Sequence, residues 1–165
     1  MKRLIILIML TGIINIPMNL YAQCKGFVKK TCLPKLSPFV FNGQMNTSTL
    51  LAGDNAEMSL TFYSGQTYRI IVCAQEVLGT LRFKLKDATG NLVFDSSAHD
   101  DTDFWDFKAE NTQQLTVEVI VPKSESANKI IPSGCVSVLV GFKQADGGTS
   151  PKPTDNKTPE KDKKK

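Results

Sequence analysis

Histidine and tryptophan are nearly missing from this chain, with one of each, His99 and Trp105, in 165 residues. A hydrolase triad needs a histidine beside a nucleophile and an orienting acid. His99 instead lies in the acidic run Ser-Ser-Ala-His-Asp-Asp-Thr-Asp, where a solvent-facing loop residue is the better reading. There is no Gly-x-Ser-x-Gly elbow and no His-Glu-x-x-His helix, the local patterns that place a serine nucleophile or a hydrolytic zinc. No Cys-x-x-Cys is present either, which together with the single histidine removes a zinc site. No acid, base and nucleophile converge in the sequence, so an enzyme, even a small hydrolase, is not expected. Nor is there a sustained period of three and four apolar residues, so the body is not helical.

Long apolar runs are also scarce, and the one present, Leu4 to Ile16, follows Lys2 and Arg3 and stops before Pro17. Interrupted by Thr11, Gly12 and Asn15, it is too short for a good membrane span. With Tyr21-Ala22-Gln23 behind it, Met1 to Ala22 reads as a secretory signal peptide cleaved after Ala22. Cys24 close behind raises a lipid-modified N-terminus, but Gln23 stands where a lipoprotein has a small residue. At the other end, Gln144 to Lys165 has Gly, Pro, Thr, Asp and Lys but no aromatic or large aliphatic residue. Such a tail buries too little to offset its ordering entropy and is expected to be disordered. Between these ends lie an arm, Gln23 to Pro38, and one domain, Phe39 to Lys143.

The net charge of +4 belongs to the ends. Of 20 basic residues two lie in the leader and six in the tail, and of 16 acidic residues the tail holds four, which leaves twelve of each between. A neutral, exported domain offers no groove for nucleic acid. The lysine tail, diluted by Asp155, Glu160 and Asp162, is limited to weak, salt-sensitive contact with an anionic surface.

Cys24, Cys32, Cys73 and Cys135 make an even set in a chain bound for an oxidising compartment, which favours two disulfides. The preferred pairing is Cys24 with Cys32, closing a small loop, and Cys73 with Cys135, both in strong strands. Pairing of the arm's cysteines onto the strands stays open, as do free thiols buried as small hydrophobes.

What the chain has in quantity is alternation. Met58, Leu60 and Phe62 alternate with Glu57, Ser59 and Thr61, and Leu81, Phe83 and Leu85 with Arg82, Lys84 and Lys86. Leu115, Val117, Val119 and Val121 alternate with Thr116, Glu118 and Ile120. Strands are expected at Phe39–Asn42, Glu57–Tyr63, Thr67–Ala74, Thr80–Lys86, Asn91–Asp95, Phe104–Lys108, Gln113–Val121 and Cys135–Phe142. Ala88-Thr89-Gly90-Asn91 supplies a hairpin turn in which Gly90 takes positive φ. About eight short strands with regular turns describe an all-β antiparallel sandwich of jelly-roll type, each sheet having one inner face.

The order of signals from Phe41 to Phe142 resembles the bacterial pre-peptidase C-terminal (PPC) domain. The residues that carry the resemblance are Ser64-Gly65-Gln66-Thr67-Tyr68-Arg69-Ile70-Ile71-Val72, then Leu81 to Val93 with Asp87 and Gly90 at the hairpin, and Val136-Ser137-Val138-Leu139-Val140. It implies a secreted, non-catalytic jelly-roll-like sandwich, usually appended to proteases, in which some members bind calcium, collagen or polysaccharide. The cysteines and the arm lie outside that pattern.

Two clusters suggest ligands, each against a plainer reading. Asp95, Asp100, Asp101 and Asp103 could give calcium the carboxylates it needs, though without the regular Asp-x-Asp-x-Asp-Gly spacing, and a solvated loop is the alternative. No other cofactor is implied. Trp105 with Phe104 could form a platform for a sugar ring, with Asp103 and Asp106 hydrogen bonding to it, or could belong to the core. Lys25, Lys29, Lys30 and Lys35 make the arm basic, and solvation explains them adequately. Asn46-Thr47-Ser48 and Asn156-Lys157-Thr158 match the glycosylation pattern. The expected function is a binding or accessory module of the periplasm or cell surface whose partner is an envelope protein or polysaccharide. A carbohydrate-binding sandwich and a structural subunit of an envelope assembly are the alternatives.

Overall fold

The computed structural model describes residues 20–124 and 130–144. Residues 1–19 of the expected leader, residues 145–165 of the expected tail with the second glycosylation pattern, and residues 125–129 of the loop after Pro122 lie outside the described residues. Eight strands follow a short helical arm: β1 (Val40–Leu51), β2 (Asn55–Phe62), β3 (Gln66–Ala74), β4 (Arg82–Lys86), β5 (Leu92–Asp95), β6 (Phe104–Lys108), β7 (Gln113–Ile120) and β8 (Ser133–Gln144).

They form two four-stranded sheets, ordered β1-β8-β3-β6 and β2-β7-β4-β5. The pairs β1·β8, β2·β7, β3·β6 and β4·β5 are all antiparallel. This is the pairing produced when one long antiparallel ribbon is rolled up, the jelly roll. Alternation decides which side chains face inward. Phe62, Ile70, Phe83, Leu85, Leu115 and Val117 are at most 1% exposed and pack with Val136, Val138 and Val140 between the sheets. The β4–β5 hairpin is closed by Gly90 at φ +86, with the Gly90 amide donating to the Asp87 carbonyl at 3.0 Å.

Three expectations need correction. β1 is not a short strand ending at Asn42 but runs twelve residues to Leu51, with an irregularity between Phe41 and Met45. Its Asn, Thr and Ser residues hide the pattern because β1 is an edge strand, partly exposed on both faces, held by its ladder to β8 rather than by burial. Next, the sheet containing β3 and β8 does not have one buried face. Residues 135–141 are all buried, because the arm covers the outer side.

The third concerns the cysteines. The disulfides join Cys24 to Cys135 and Cys32 to Cys73, with Cα separations of 5.4 and 5.8 Å. The preferred Cys24–Cys32 and Cys73–Cys135 pairing fails for two geometric reasons. Cys24 and Cys32 lie along one helical path, α1 (Leu20–Phe27) continuing as a π-helical turn (Val28–Cys32). Eight residues of helix advance about 12 Å, beyond the reach of a disulfide. β3 and β8 are indeed neighbours, but their register sets Ser137 opposite Cys73 and leaves Cys135 two residues away.

Candidate binding surfaces

The arm shows how the outer face of the β1-β8-β3-β6 sheet is closed. Cys24, Val28, Cys32 and Leu36 recur at every fourth residue and are all buried, Val28 and Cys32 completely. A four-residue repeat drifts about 40° per step on an ideal helix. The wider π turn over Val28–Cys32 takes up that drift, and the tighter 3-10 turn Leu33–Leu36 ends the arm with Leu36 buried. Val28, Cys32 and Leu36 pack with Ile71, Cys73 and Leu139 in a second apolar cluster. The repeat is legible in CKGFVKKTCLPKL and is the signal that a search for three-and-four spacing overlooks.

Arg69 fixes the end of the arm. Its Nε and Nη2 donate to the two carboxylate oxygens of Asp106 at 2.7 and 2.6 Å, and its Nη1 donates to the Ser37 carbonyl at 2.9 Å. The guanidinium lies 4.7 Å from the ring centres of both Phe39 and Phe104. The bond to Asp106 raises the Arg69 pKa above its ordinary value, against a smaller opposing effect of burial. Gly141, opposite Arg69 in the ladder, gives the arm its close approach: a Cβ there would lie 2.7 Å from Phe39 Cβ.

The expected sugar platform is built differently. Phe104 is 42% exposed and engaged by Arg69, whereas Trp105 points between the sheets. It stacks on Phe107 at 4.4 Å and on Phe94 at 4.9 Å, and His99 stacks on the far end at 5.0 Å from Phe94. This ladder of rings closes the seam between β5 and β6, so Trp105 packs with the core and is not a free face for a ligand.

The four aspartates are brought to one end of the sandwich but not to one point. Asp95 accepts from the Ser97 hydroxyl at 2.6 Å and pairs with Lys84 at 3.4 Å, and the Ser97 bond chiefly lowers its pKa. Asp101 pairs with Arg82 at 3.1 Å and Asp103 with Lys35 at 2.6 Å. Asp100 and Asp101 both take left-handed backbone, at φ 54 and 50, which turns the loop sharply. Among the described residues no group of three or more His, Cys, Asp or Glu could hold a metal ion.

Sequence reasoning missed the exposed apolar residues. The turn after β3 and the run into β8 meet at one end, where Val77 is 57%, Ile130 81% and Ile131 61% exposed. Val77 and Leu78 close over Gly134, where a Cβ would come within 3.1 Å of each side chain. Gln75 accepts the Cys135 amide at 2.8 Å. Beside this end a cleft of about 430 Å³ is lined by Thr80, Arg82, Asp101, Ile120, Pro122 and Lys123.

No family model matches the chain, and no curated protein matches it. Among solved structures it is similar to PliG of Aeromonas hydrophila, a periplasmic lysozyme inhibitor of g-type lysozyme. The two are 10% identical with a TM-score of 0.44, over 61% of this chain and 85% of that one.

Proposed function

We propose that this chain is a non-catalytic, exported binding or accessory module of the bacterial envelope, as the resemblance to PPC domains also suggests. The observation that carries this reading is the apolar loop end. Val77, Ile130 and Ile131 are held out into solvent on a frame clamped by two disulfides. Binding residues typically sit on loops positioned by a rigid scaffold, and large apolar side chains exposed to solvent favour a protein partner over a polysaccharide. Two disulfides accord with an oxidising compartment.

The test is retention of partner from a native envelope extract at low salt, comparing the chain with Val77→Asp and Ile130→Asp. The expected result is loss of one defined partner with an unchanged melting temperature. Undiminished retention by both variants would count against this surface, and turnover of an envelope substrate by the purified chain would count against the whole reading. The sugar-binding alternative has less support, since Trp105 is stacked by Phe94 and Phe107.

A further inference from the structure

The two seams of the sandwich are unlike. The β5–β6 seam is filled by aromatic rings, whereas the β1–β2 seam holds two cavities, of about 270 and 310 Å³. The larger is floored by Leu50, Met58, Val136 and Val138 and rimmed by Asn46 and Ser48. Into this seam Asn46 brings an amide Nδ2 that is enclosed and has no hydrogen-bond partner, the one side-chain nitrogen or oxygen in that state among the described residues. A buried donor left unpaired costs free energy and calls for an explanation. Enclosure also makes Asn46 a poor glycosylation acceptor.

The strand beside this seam is an open edge. β1 pairs with β8 on one side only, and Val40 to Leu51 contains no charged residue. The other edges are guarded as edges usually are: β2 carries Glu57, β6 carries Asp106 and Lys108, and β5 has four residues including Asp95. From Met45 to Leu51 the register with β8 is unbroken; the Leu51 amide and carbonyl are held by Asp54 at 2.8 and 3.0 Å, so the open row of outward backbone groups runs from Met45 to Thr49.

We infer that β1 pairs antiparallel with β1 of a second copy of this chain, about a twofold axis at Ser48. That register sets Met45 against Leu51 and Thr47 against Thr49 on one face, and Asn46 against Leu50 on the other. Apolar meets apolar, threonine meets threonine, and no like charges face each other in the ladder, all favourable for cross-strand pairing. Leu51, 45% exposed in the single chain, becomes covered. Leu50 of the second copy comes over the cavity beside Asn46. The neutral balance of the domain, twelve basic and twelve acidic residues, lets two copies meet without net repulsion.

Sedimentation velocity of the full disulfide-bonded chain tests this, with Ser48→Lys and Ser48→Asp as probes at an exposed position. The wild type should dimerise reversibly with concentration. Each variant alone places like charges across the axis and should associate at least about tenfold more weakly, while an equimolar mixture of the two should recover the dimer. Hydrogen exchange on the wild type should show residues 45–49 becoming more protected as concentration rises, a readout independent of how the variants fold. A monomer at high micromolar concentration, with freely exchanging β1 amides, would overturn the inference and leave the edge to a strand of another protein. A dimer indifferent to both substitutions would place the interface elsewhere and overturn it equally.

Discussion

The two sheets turn very different outer faces to their surroundings. On the β2-β7-β4-β5 sheet the outward residues are Glu57, Ser59, Thr116, Glu118, Arg82, Lys84 and Lys86, tied by Lys86 to Glu118 at 2.8 Å and Lys84 to Asp95 at 3.4 Å. On the β1-β8-β3-β6 sheet the outward residues Ile71, Cys73 and Leu139 are at most 3% exposed beneath the arm. Both faces belong to one jelly roll, so the topology did not require the difference. It follows from what each strand carries at its outward positions: solvated ion pairs contribute little, whereas an apolar face must be covered. The arm is therefore an integral third layer on one side, and the other side is complete without one.

Breaking the cover is expected to have the largest effect. Replacing Cys32 and Cys73 together by Ala opens a loop of sequence separation 41, for which the chain-entropy estimate is about 4 kcal/mol. Urea unfolding of the variant beside the wild type measures it. A loss under about 1 kcal/mol would show that the remaining Cys24–Cys135 bridge and apolar packing by Val28 and Leu36 hold the arm without it.

A middle-sized effect is expected at Arg69, the polar clasp of the same cover. Arg69→Lys keeps the charge but loses the two-pronged bond to Asp106, the Ser37 contact and stacking between Phe39 and Phe104. About 1–2 kcal/mol is expected after allowing for partial exposure. Faster hydrogen exchange should appear in residues 33–39 ahead of the rest of the domain. Uniform exchange throughout would mean that Arg69 does not hold the arm separately.

The smallest effect sharpens the comparison from the solvated side. In the β4–β5 turn the Asp87 carboxylate accepts from the Thr89 amide and hydroxyl and from the Asn91 amide and side chain, at 2.7 to 2.9 Å. These bonds, that from the Thr89 hydroxyl first, lower its pKa from 3.8 to about 2. The unfolded chain therefore binds this proton more readily. The stabilisation is complete above the ordinary carboxylate range and disappears as pH falls through about 2. Asp87→Asn should show a shallower loss of stability than the wild type between about pH 4 and 2, followed by thermal melts at stepped pH. Parallel profiles would assign the acid sensitivity to other carboxylates, Asp95 among them.

Several of these features were legible in the residues. Alternation at Met58-Leu60-Phe62, Phe83-Leu85 and Leu115-Val117-Val119 names the inner face of the second sheet, and Asp87 with Gly90 names its hairpin. Each is a local pattern with period two or a turn requirement, readable without the partner strand. β1 was not legible beyond Asn42, because an edge strand that is polar on much of both faces carries no period. The arm was half legible: its cysteines announced a staple, but the four-residue repeat matches neither a helix nor a strand until a π turn is allowed.

By itself the sequence determined an all-β body, its inward side chains and the need for two cross-links, since burial of every second apolar residue and oxidation of paired thiols depend on composition and order alone. Tertiary structure decided which cysteines meet, which face the arm covers, that Trp105 is stacked between Phe94 and Phe107, and that β1 is left with an open edge. Each of those depends on register and on distances between segments far apart in the chain. A one-residue slip in register would turn every side chain to the opposite face without changing a letter of the sequence.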